Sequence, residues 1–258
     1  MGDSNRTGPR NGSGQFDLPN LSREQRQGLV GQVFARVAER YDLMNDLMSG
    51  GLHRRWKDDL IAWMAPPKSA KPYRLVDVAG GTGDIATRFL RAAGPAAEAV
   101  ICDLSPEMLA VGRRRAERTG QQRLSFVEAN AEALPLKTNC ASAYTIAFGI
   151  RNVSDRNRAL NEAHRILKPG GRLLILEFSH TDVPILDTLY EQFSETAIPA
   201  LGAAVAGDAA SYRYLVESIR EFPDQDTFAG MIGHAGFEQV KYRNLSGGIA
   251  AIHSAWRL

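Results

Sequence analysis

The chain has 258 residues, of which 44% are apolar, so it is long enough to bury one sizeable core. Its formal net charge is +2, which gives no electrostatic reason to expect a nucleic acid as the partner. The only cysteines, Cys102 and Cys140, make no disulfide framework and fit a reducing compartment, so a cytoplasmic location is expected. No histidines or cysteines have the spacing of metal ligands, and no metal site is expected.

The N-terminal part of the chain divides into two segments. Residues 1–21 are rich in glycine, serine and asparagine and lack the apolar core of a signal peptide, so we predict a disordered tail. Residues 22–258 are predicted to form a single domain, and residues 22–66 carry apolar side chains at helical spacing that indicate a helical lid. No apolar run reaches the roughly 18 residues of a membrane span.

Strands and helices alternate from residue 74 onwards. The predicted strands cover residues 74–79, 98–103, 124–129, 143–148 and 172–178, and the predicted helices between them cover residues 84–93, 105–118 and about 155–167. This alternation is typical of a doubly wound, mostly parallel sheet.

The alternation stops after Ser179. Residues 183–235 have a helical pattern and are predicted to form a substrate-side insertion, and two last strands, 237–244 and 249–256, form a hairpin. The predicted fold class is therefore α/β, with a doubly wound, mostly parallel seven-stranded sheet, an antiparallel last strand, and added N-terminal and C-terminal helices.

A glycine loop, VDVAGGTGD at residues 76–84, joins the first strand to the first helix of the sheet. Glycines allow the backbone to approach a ligand closely, and a helix N-terminus favours negative charge. The same glycines satisfy a dinucleotide pattern, and Asp103 after the second strand is placed to hold the ribose of NAD or of an adenosyl cofactor. These features therefore leave both cofactors open.

Three other features favour S-adenosylmethionine. Asp77 lies in the first strand, where a carboxylate suits an ammonium and a sulfonium better than a pyrophosphate. Asn130, in NAEALP, is placed to read the adenine amino group, with a plain turn role as the alternative. A tight turn at KPGG and the reversed last strand are typical of the class I methyltransferase sheet.

The chain resembles the ubiquinone/menaquinone biosynthesis C-methyltransferases over nearly everything from about residue 29 to the end. The resemblance rests on RYDLMNDLMSGGLHRRWK (40–57), VDVAGGTGD (76–84), NAEALP (130–135), AFGIRNVSD (147–155), LKPGGRLLILEFS (167–179), DAASYRYLVESIREFPDQDTF (208–228) and AGFEQVKYRNLSGGIAAIH (235–253). Three of these segments, residues 40–57, 147–155 and 208–228, are specific to this family and are not general marks of methyltransferases. It implies methyl transfer from S-adenosylmethionine to a ring carbon of a polyprenylated quinol, either 2-polyprenyl-6-methoxy-1,4-benzoquinol or demethylmenaquinol or both.

The cofactor site implied by the motifs and the resemblance together comprises eight residues. In the family the cofactor is bound at positions that match Thr82, Asp103, Asn130 and Ala131, while a further position, often serine, is Ala147 here. With the glycine loop and its acid, the predicted cofactor residues are Asp77, Gly80, Gly81, Thr82, Gly83, Asp103, Asn130 and Ala131.

The predicted catalytic residues are Arg151, Asn152 and Tyr41. A phenol has a pKa of about 10, and an opposite charge close by lowers such a pKa by roughly 1–3 units. Arg151 is predicted to supply that charge to the quinol, unless it only caps the loop or pairs with Asp155. Asn152 is predicted to orient the ring hydroxyl or a water, and Tyr41 to face the sulfonium.

The substrate implied by the resemblance has consequences for partners. Asp208 and Tyr212 are assigned to the quinol side, and the apolar run at residues 196–207 is either an entrance for the polyprenyl tail or an ordinary core helix. We expect peripheral contact with the inner membrane, and the resemblance also allows a homodimer and a quinone-biosynthesis enzyme complex. The alternatives are another small-molecule O- or N-methyltransferase, an NAD-dependent oxidoreductase, or a non-catalytic S-adenosylmethionine-binding scaffold.

Overall fold

The computed structural model describes Asp46, residues 49–180 and residues 217–258. The predictions for Tyr41, Asp208, Tyr212, the tail at residues 1–21 and the apolar run at residues 196–207 lie outside these residues. The helices are α1 (His53–Met64), α2 (Asp84–Ala92), α3 (Pro106–Arg118), α4 (Arg156–Ile166) and α5 (Gln225–His234). The strands are β1 (Tyr73–Val78), β2 (Ala97–Asp103), β3 (Leu124–Glu128), β4 (Ala141–Ala147), β5 (Leu167–Phe178), β6 (Glu238–Leu245) and β7 (Ala250–Arg257).

The strands form one seven-stranded sheet in the order β3-β2-β1-β4-β5-β7-β6. The first five strands pair in parallel, whereas β7 is antiparallel to both β5 and β6. The predicted fold class is confirmed, including the reversed last strand. The chain order changes direction between β1 and β4, so the carboxyl ends of these two strands flank the crevice where such sheets bind ligands.

The bounds of β5 differ from the prediction. The strand was expected to start at Arg172, but it starts at Leu167, which pairs with Ala141 of β4. The glycines of KPGG therefore lie inside the strand, beside a register shift between Ala141 and Ala143, and Gly170 has a φ of 77°. A left-handed glycine allows the irregular segment to stay paired, which a turn motif in the sequence does not reveal.

Helix α1 belongs to the core of the sheet domain. Trp56 is 1% exposed, packs against Phe148 and Phe178 with ring centroids 6.3 and 6.0 Å away, and donates from Nε1 to Ser246 Oγ at 3.0 Å. Helices α1 and α2 contribute to an apolar cluster on one face of the sheet, and α4 and α5 contribute to a second cluster on the other face. None of the helices in the described ranges is long and apolar enough to cross a bilayer.

Arg172 of β5 joins the end of α1 to the antiparallel part of the sheet. Its Nη1 donates to the carbonyls of Trp63 and Met64 at 2.7 and 3.2 Å, and its Nε donates to Ser254 at 2.9 Å. The guanidinium also lies over the rings of Trp63 and Trp256, 5.7 and 5.0 Å from their centroids. These contacts satisfy the last carbonyls of α1, which have no partner within the helix.

Candidate active site

A cavity opens at the carboxyl edge of the sheet, between the exits of β1 and β4. Seven of the eight predicted cofactor residues line it, and the predicted catalytic residue Asn152 lines it as well: Asp77, Gly80, Gly81, Thr82, Asp103, Asn130, Ala131 and Asn152. Ala147, at the position that is often serine in the family, is a further lining residue. Gly83 is not on the wall, but it precedes α2 with a φ of 82°, a conformation that favours glycine.

The glycine loop has no room for larger residues. A Cβ atom at Gly80 would lie 2.8 Å from Asp77 Oδ2 and 2.9 Å from the side chain of Ile101. Gly81 has a φ of 53°, and its N–H donates to Asp103 Oδ2 at 2.8 Å. The loop therefore approaches the ends of β1 and β2 closely and fixes the carboxylate of Asp103 at the cavity wall.

Asp103 is held by backbone groups. Besides the bond from Gly81, its Oδ1 accepts from the N–H of Ser105 at 2.9 Å. Burial raises the pKa of Asp103, and these hydrogen bonds act in the opposite direction. Asp103 does not cap the next helix, because Ser105 is the N-cap of α3 and accepts from Met108 N. A fixed carboxylate after the second strand suits a pair of ribose hydroxyls.

Asp77 is fully buried at the opposite side of the loop. Its Oδ1 accepts a hydrogen bond from Thr145 at 2.7 Å, while Oδ2 has no hydrogen-bond partner among the described residues. Burial raises the pKa of Asp77 to about 7, against the effect of the Thr145 hydroxyl. An acceptor of this kind on a cavity wall fits the ammonium group of a bound amino acid moiety, because a cation there would favour the ionised carboxylate.

Asn130 and Ala131 follow β3. Asn130 Oδ1 accepts from the N–H of Glu132 at 2.9 Å, so the side chain does take the turn role given as the alternative. An amide oxygen has two lone pairs, so the turn leaves one acceptor site that can face an adenine. Ala131 is buried, and its small side chain contributes an apolar part of the wall.

The surroundings of Arg151 differ from the prediction. The side chain is 1% exposed and is not among the lining residues, and its Nη1 lies 2.6 Å from Glu177 Oε1 in a buried ion pair. Nη1 also donates to the carbonyl of Phe148 at 2.9 Å, and Nε donates to Ser218 at 3.2 Å. The charge expected to act on the quinol is thus compensated, by Glu177 of β5 and not by Asp155, which caps α4.

Sequence reasoning missed two charged residues of this region. Glu177 lies on β5, 26 residues after its partner Arg151, and nothing local in the sequence joins them. Lys57 of α1 lines the cavity, is 4% exposed, and donates from Nζ to Asp84 Oδ2 at 3.0 Å. The resemblance did mark residues 40–57 as specific to the family, and that was the available signal for Lys57.

Comparison with known proteins identifies the family of the chain. The model of the ubiE/COQ5 methyltransferase family matches residues 20–257. A Brucella abortus protein named ubiquinone/menaquinone biosynthesis C-methyltransferase is 54% identical over all of this chain and 96% of its own length. A Methylobacterium nodulans protein of the same name is 57% identical over 95% of this chain and 97% of its own length.

Solved structures share the fold at low sequence identity. A methyltransferase from Aquifex aeolicus superposes with a TM-score of 0.57 at 13% identity, covering 93% of this chain and all of its own. A Haemonchus contortus phosphoethanolamine N-methyltransferase, solved with S-adenosyl-L-methionine, gives 0.59 at 14% identity over 79% of this chain and 52% of its own. The family model and the full-length relatives show that the chain belongs to the ubiE/COQ5 methyltransferase family and is an S-adenosylmethionine-dependent methyltransferase.

Proposed function

We propose that this protein transfers a methyl group from S-adenosylmethionine to a ring carbon of a polyprenylated quinol in ubiquinone or menaquinone biosynthesis. The observation that carries the proposal is that Asn152, from the family-specific segment at residues 147–155, lines the same cavity as Asp77 and Asp103. A substrate held at the β4 exit would therefore meet the cofactor in one enclosed space. The names of the full-length relatives support the quinol as the substrate.

The cofactor, when bound, supplies an electrophilic methyl group on a sulfonium. On our proposal Asp103 holds the ribose, Asp77 holds the ammonium of the amino acid moiety, and Asn130 and Ala131 contact the adenine. Transfer of the methyl group to a phenolate neutralises charge, so a wall that excludes water favours the reaction. Asn152 is 8% exposed and is suited to a hydrogen bond with a ring hydroxyl.

The reaction requires the reduced quinol, because a ring carbon attacks the methyl group only when the ring is electron-rich. Purified protein, cofactor with a labelled methyl group and a short-chain quinol should give a product methylated on carbon, as read by mass spectrometry. The oxidised quinone should give none. A product methylated on oxygen, or equal rates with quinone and quinol, would contradict the proposal and favour another small-molecule methyltransferase.

Arg151 is proposed as a positioning residue that acts through the β4 exit. Its ion pair with Glu177 and its bond to the carbonyl of Phe148 hold the turn that carries Asn152. The Arg151→Met and Glu177→Gln variants should both lower kcat, with no displacement of the pH profile of kcat. A direct action of the Arg151 charge on the phenol requires a different result, in which Arg151→Met alone moves the profile to higher pH.

Peripheral contact with the inner membrane is proposed because a polyprenyl tail partitions into lipid. Tyr41, Asp208 and Tyr212 stay predictions of the sequence, as do the homodimer and the quinone-biosynthesis complex.

A further inference from the structure

Lys57 is a buried cation on the wall of the cavity. It projects from α1, is 4% exposed, and donates to Asp84 Oδ2 at 3.0 Å. An ammonium group has three donors, and one of them is used by Asp84. Among the described residues that line the cavity, Lys57 is the only basic one, against the acids Asp77, Asp84, Asp103 and Glu132.

Neutralising Asp84 does not explain this lysine. Asp84 Oδ1 already accepts from Arg88 Nε at 2.9 Å, in an ion pair within α2. Taking an ammonium group out of water is unfavourable, and one shared carboxylate offsets that cost only in part. A second anion that enters from the cavity would use the remaining donors of Lys57.

The charges on the wall match the two ends of an amino acid. Asp77 carries an oxygen with no partner among the described residues, and Lys57 carries donors, so one wall offers an acceptor for an ammonium and a donor for a carboxylate. Asp103 and Asn130 come from the ends of β2 and β3, whereas Lys57 comes from α1, so different elements supply the proposed nucleoside contacts and the basic group. The cofactor carries an α-amino acid at one end and a nucleoside at the other.

We propose that Lys57 is a cofactor-binding residue whose ammonium group, oriented by Asp84, binds the α-carboxylate of the methionine moiety of S-adenosylmethionine. The proposal rests on the cofactor placement given above, with the ammonium of the same moiety at Asp77. It makes α1 part of the cofactor site. Lys57, the last residue of the family-specific segment at residues 40–57, would then bind the cofactor. It also predicts selection against compounds that lack the carboxylate.

The test compares two compounds that differ only in the carboxylate, S-adenosylmethionine and decarboxylated S-adenosylmethionine. Their dissociation constants are measured by calorimetry with the wild-type protein and with Lys57→Gln, Lys57→Met and Lys241→Gln. Lys241 lies exposed on β6, away from the cavity, and is the matched control. The wild-type protein and the control should prefer S-adenosylmethionine by roughly tenfold to a hundredfold, as for a hydrogen bond to a charged group.

In Lys57→Gln that preference should disappear, through weaker binding of S-adenosylmethionine and unchanged binding of the decarboxylated compound. An equal loss for both compounds would mean that Lys57 only supports the glycine loop, and would overturn the proposal. If the wild-type protein bound the two compounds equally well, that result alone would overturn the proposal. Failure of the wild-type protein to bind either compound is a distinct result, since it would remove the cofactor placement itself.

Discussion

At the scale of single residues, Asp77 combines a function with a cost to stability. A carboxyl whose pKa is raised from 3.8 to about 7 binds a proton more tightly in the folded protein than in the unfolded chain. Stability therefore falls as the pH rises from about 4 to about 7, and the full cost, at most about 4 kcal/mol, persists above about pH 7. A bound ammonium group would offset this cost, so we expect the cofactor to stabilise the protein most at alkaline pH.

The Asp77→Asn variant should be more stable than the wild-type protein at pH 8 when no cofactor is present, by up to about 4 kcal/mol. An asparagine keeps an oxygen for the Thr145 hydroxyl and removes the buried charge. The difference should shrink towards pH 4, where Asp77 is protonated. Urea denaturation at the two pH values measures it. A variant no more stable than the wild-type protein at pH 8 would mean that nearby groups already compensate the charge.

At the same scale, the sequence could predict those site residues that lie at strand ends. Asp77 lies near the end of a recognisable strand, Asp103 ends the next one, and Asn130 follows the third. The parallel order of these strands brings their ends to one edge of the sheet. Lys57 and Glu177 could not be found in this way. Their roles depend on how α1 and β5 meet distant elements, and this is decided by tertiary packing.

At the scale of elements, the exits of β1 and β4 form the two sides of the cavity, and both contain strained backbone. Ala79 and Phe148 have φ values of 50° and 57°, a region that residues other than glycine rarely adopt. Gly149 follows Phe148, and a Cβ atom on it would lie 2.4 Å from the Cβ of Ala79. The two exits therefore touch, and their spacing is set by the absence of a side chain at residue 149.

The Gly149→Ala variant should lose about 1–3 kcal/mol of stability, because the Ala79 methyl group cannot rotate away and the two exits must separate. The affinity for S-adenosylhomocysteine should fall as well. The matched control is Gly230→Ala in α5, where a Cβ atom meets nothing within 4 Å. Alanine at this position of the helix should raise the free energy of unfolding by about 0.5–1 kcal/mol. Urea denaturation and calorimetry measure both variants, and equal effects would refute the packing argument.

At the scale of the whole molecule, α1 and the sheet form one core. The sequence predicted a helical lid over residues 22–66, which includes α1. In the described part of this range, α1 packs on the sheet as part of its core. Trp56 of α1 packs on Phe148, which follows β4 and lines the cavity, and on Phe178, the last residue of β5. The strand and helix order was readable from hydrophobic periodicity, but the burial of α1 on this face depends on aromatic contacts between residues about 90 to 120 positions apart.

The Trp56→Ala variant should lose about 3–5 kcal/mol of stability, as expected for an aromatic side chain removed from a core. If residues 22–66 formed a separable lid, the Trp56→Ala variant would lose far less stability, under about 1 kcal/mol. Leu52→Ala is the control, because Leu52 is 40% exposed and immediately precedes α1. Thermal unfolding followed by circular dichroism gives both values. A small loss at Trp56 would mean that α1 opens independently of the sheet.

The contacts of Arg172 have a consequence for spectroscopy. The chain has three tryptophans, Trp56 and Trp63 on α1 and Trp256 on β7, and none of them lines the cofactor cavity. Trp63 and Trp256 share the Arg172 guanidinium, and Trp56 is enclosed by two phenylalanines. Tryptophan fluorescence of this protein should therefore report on how α1 sits on the sheet, and among the ring contacts of the described residues only Trp56 has a direct neighbour on the cavity wall, Phe148.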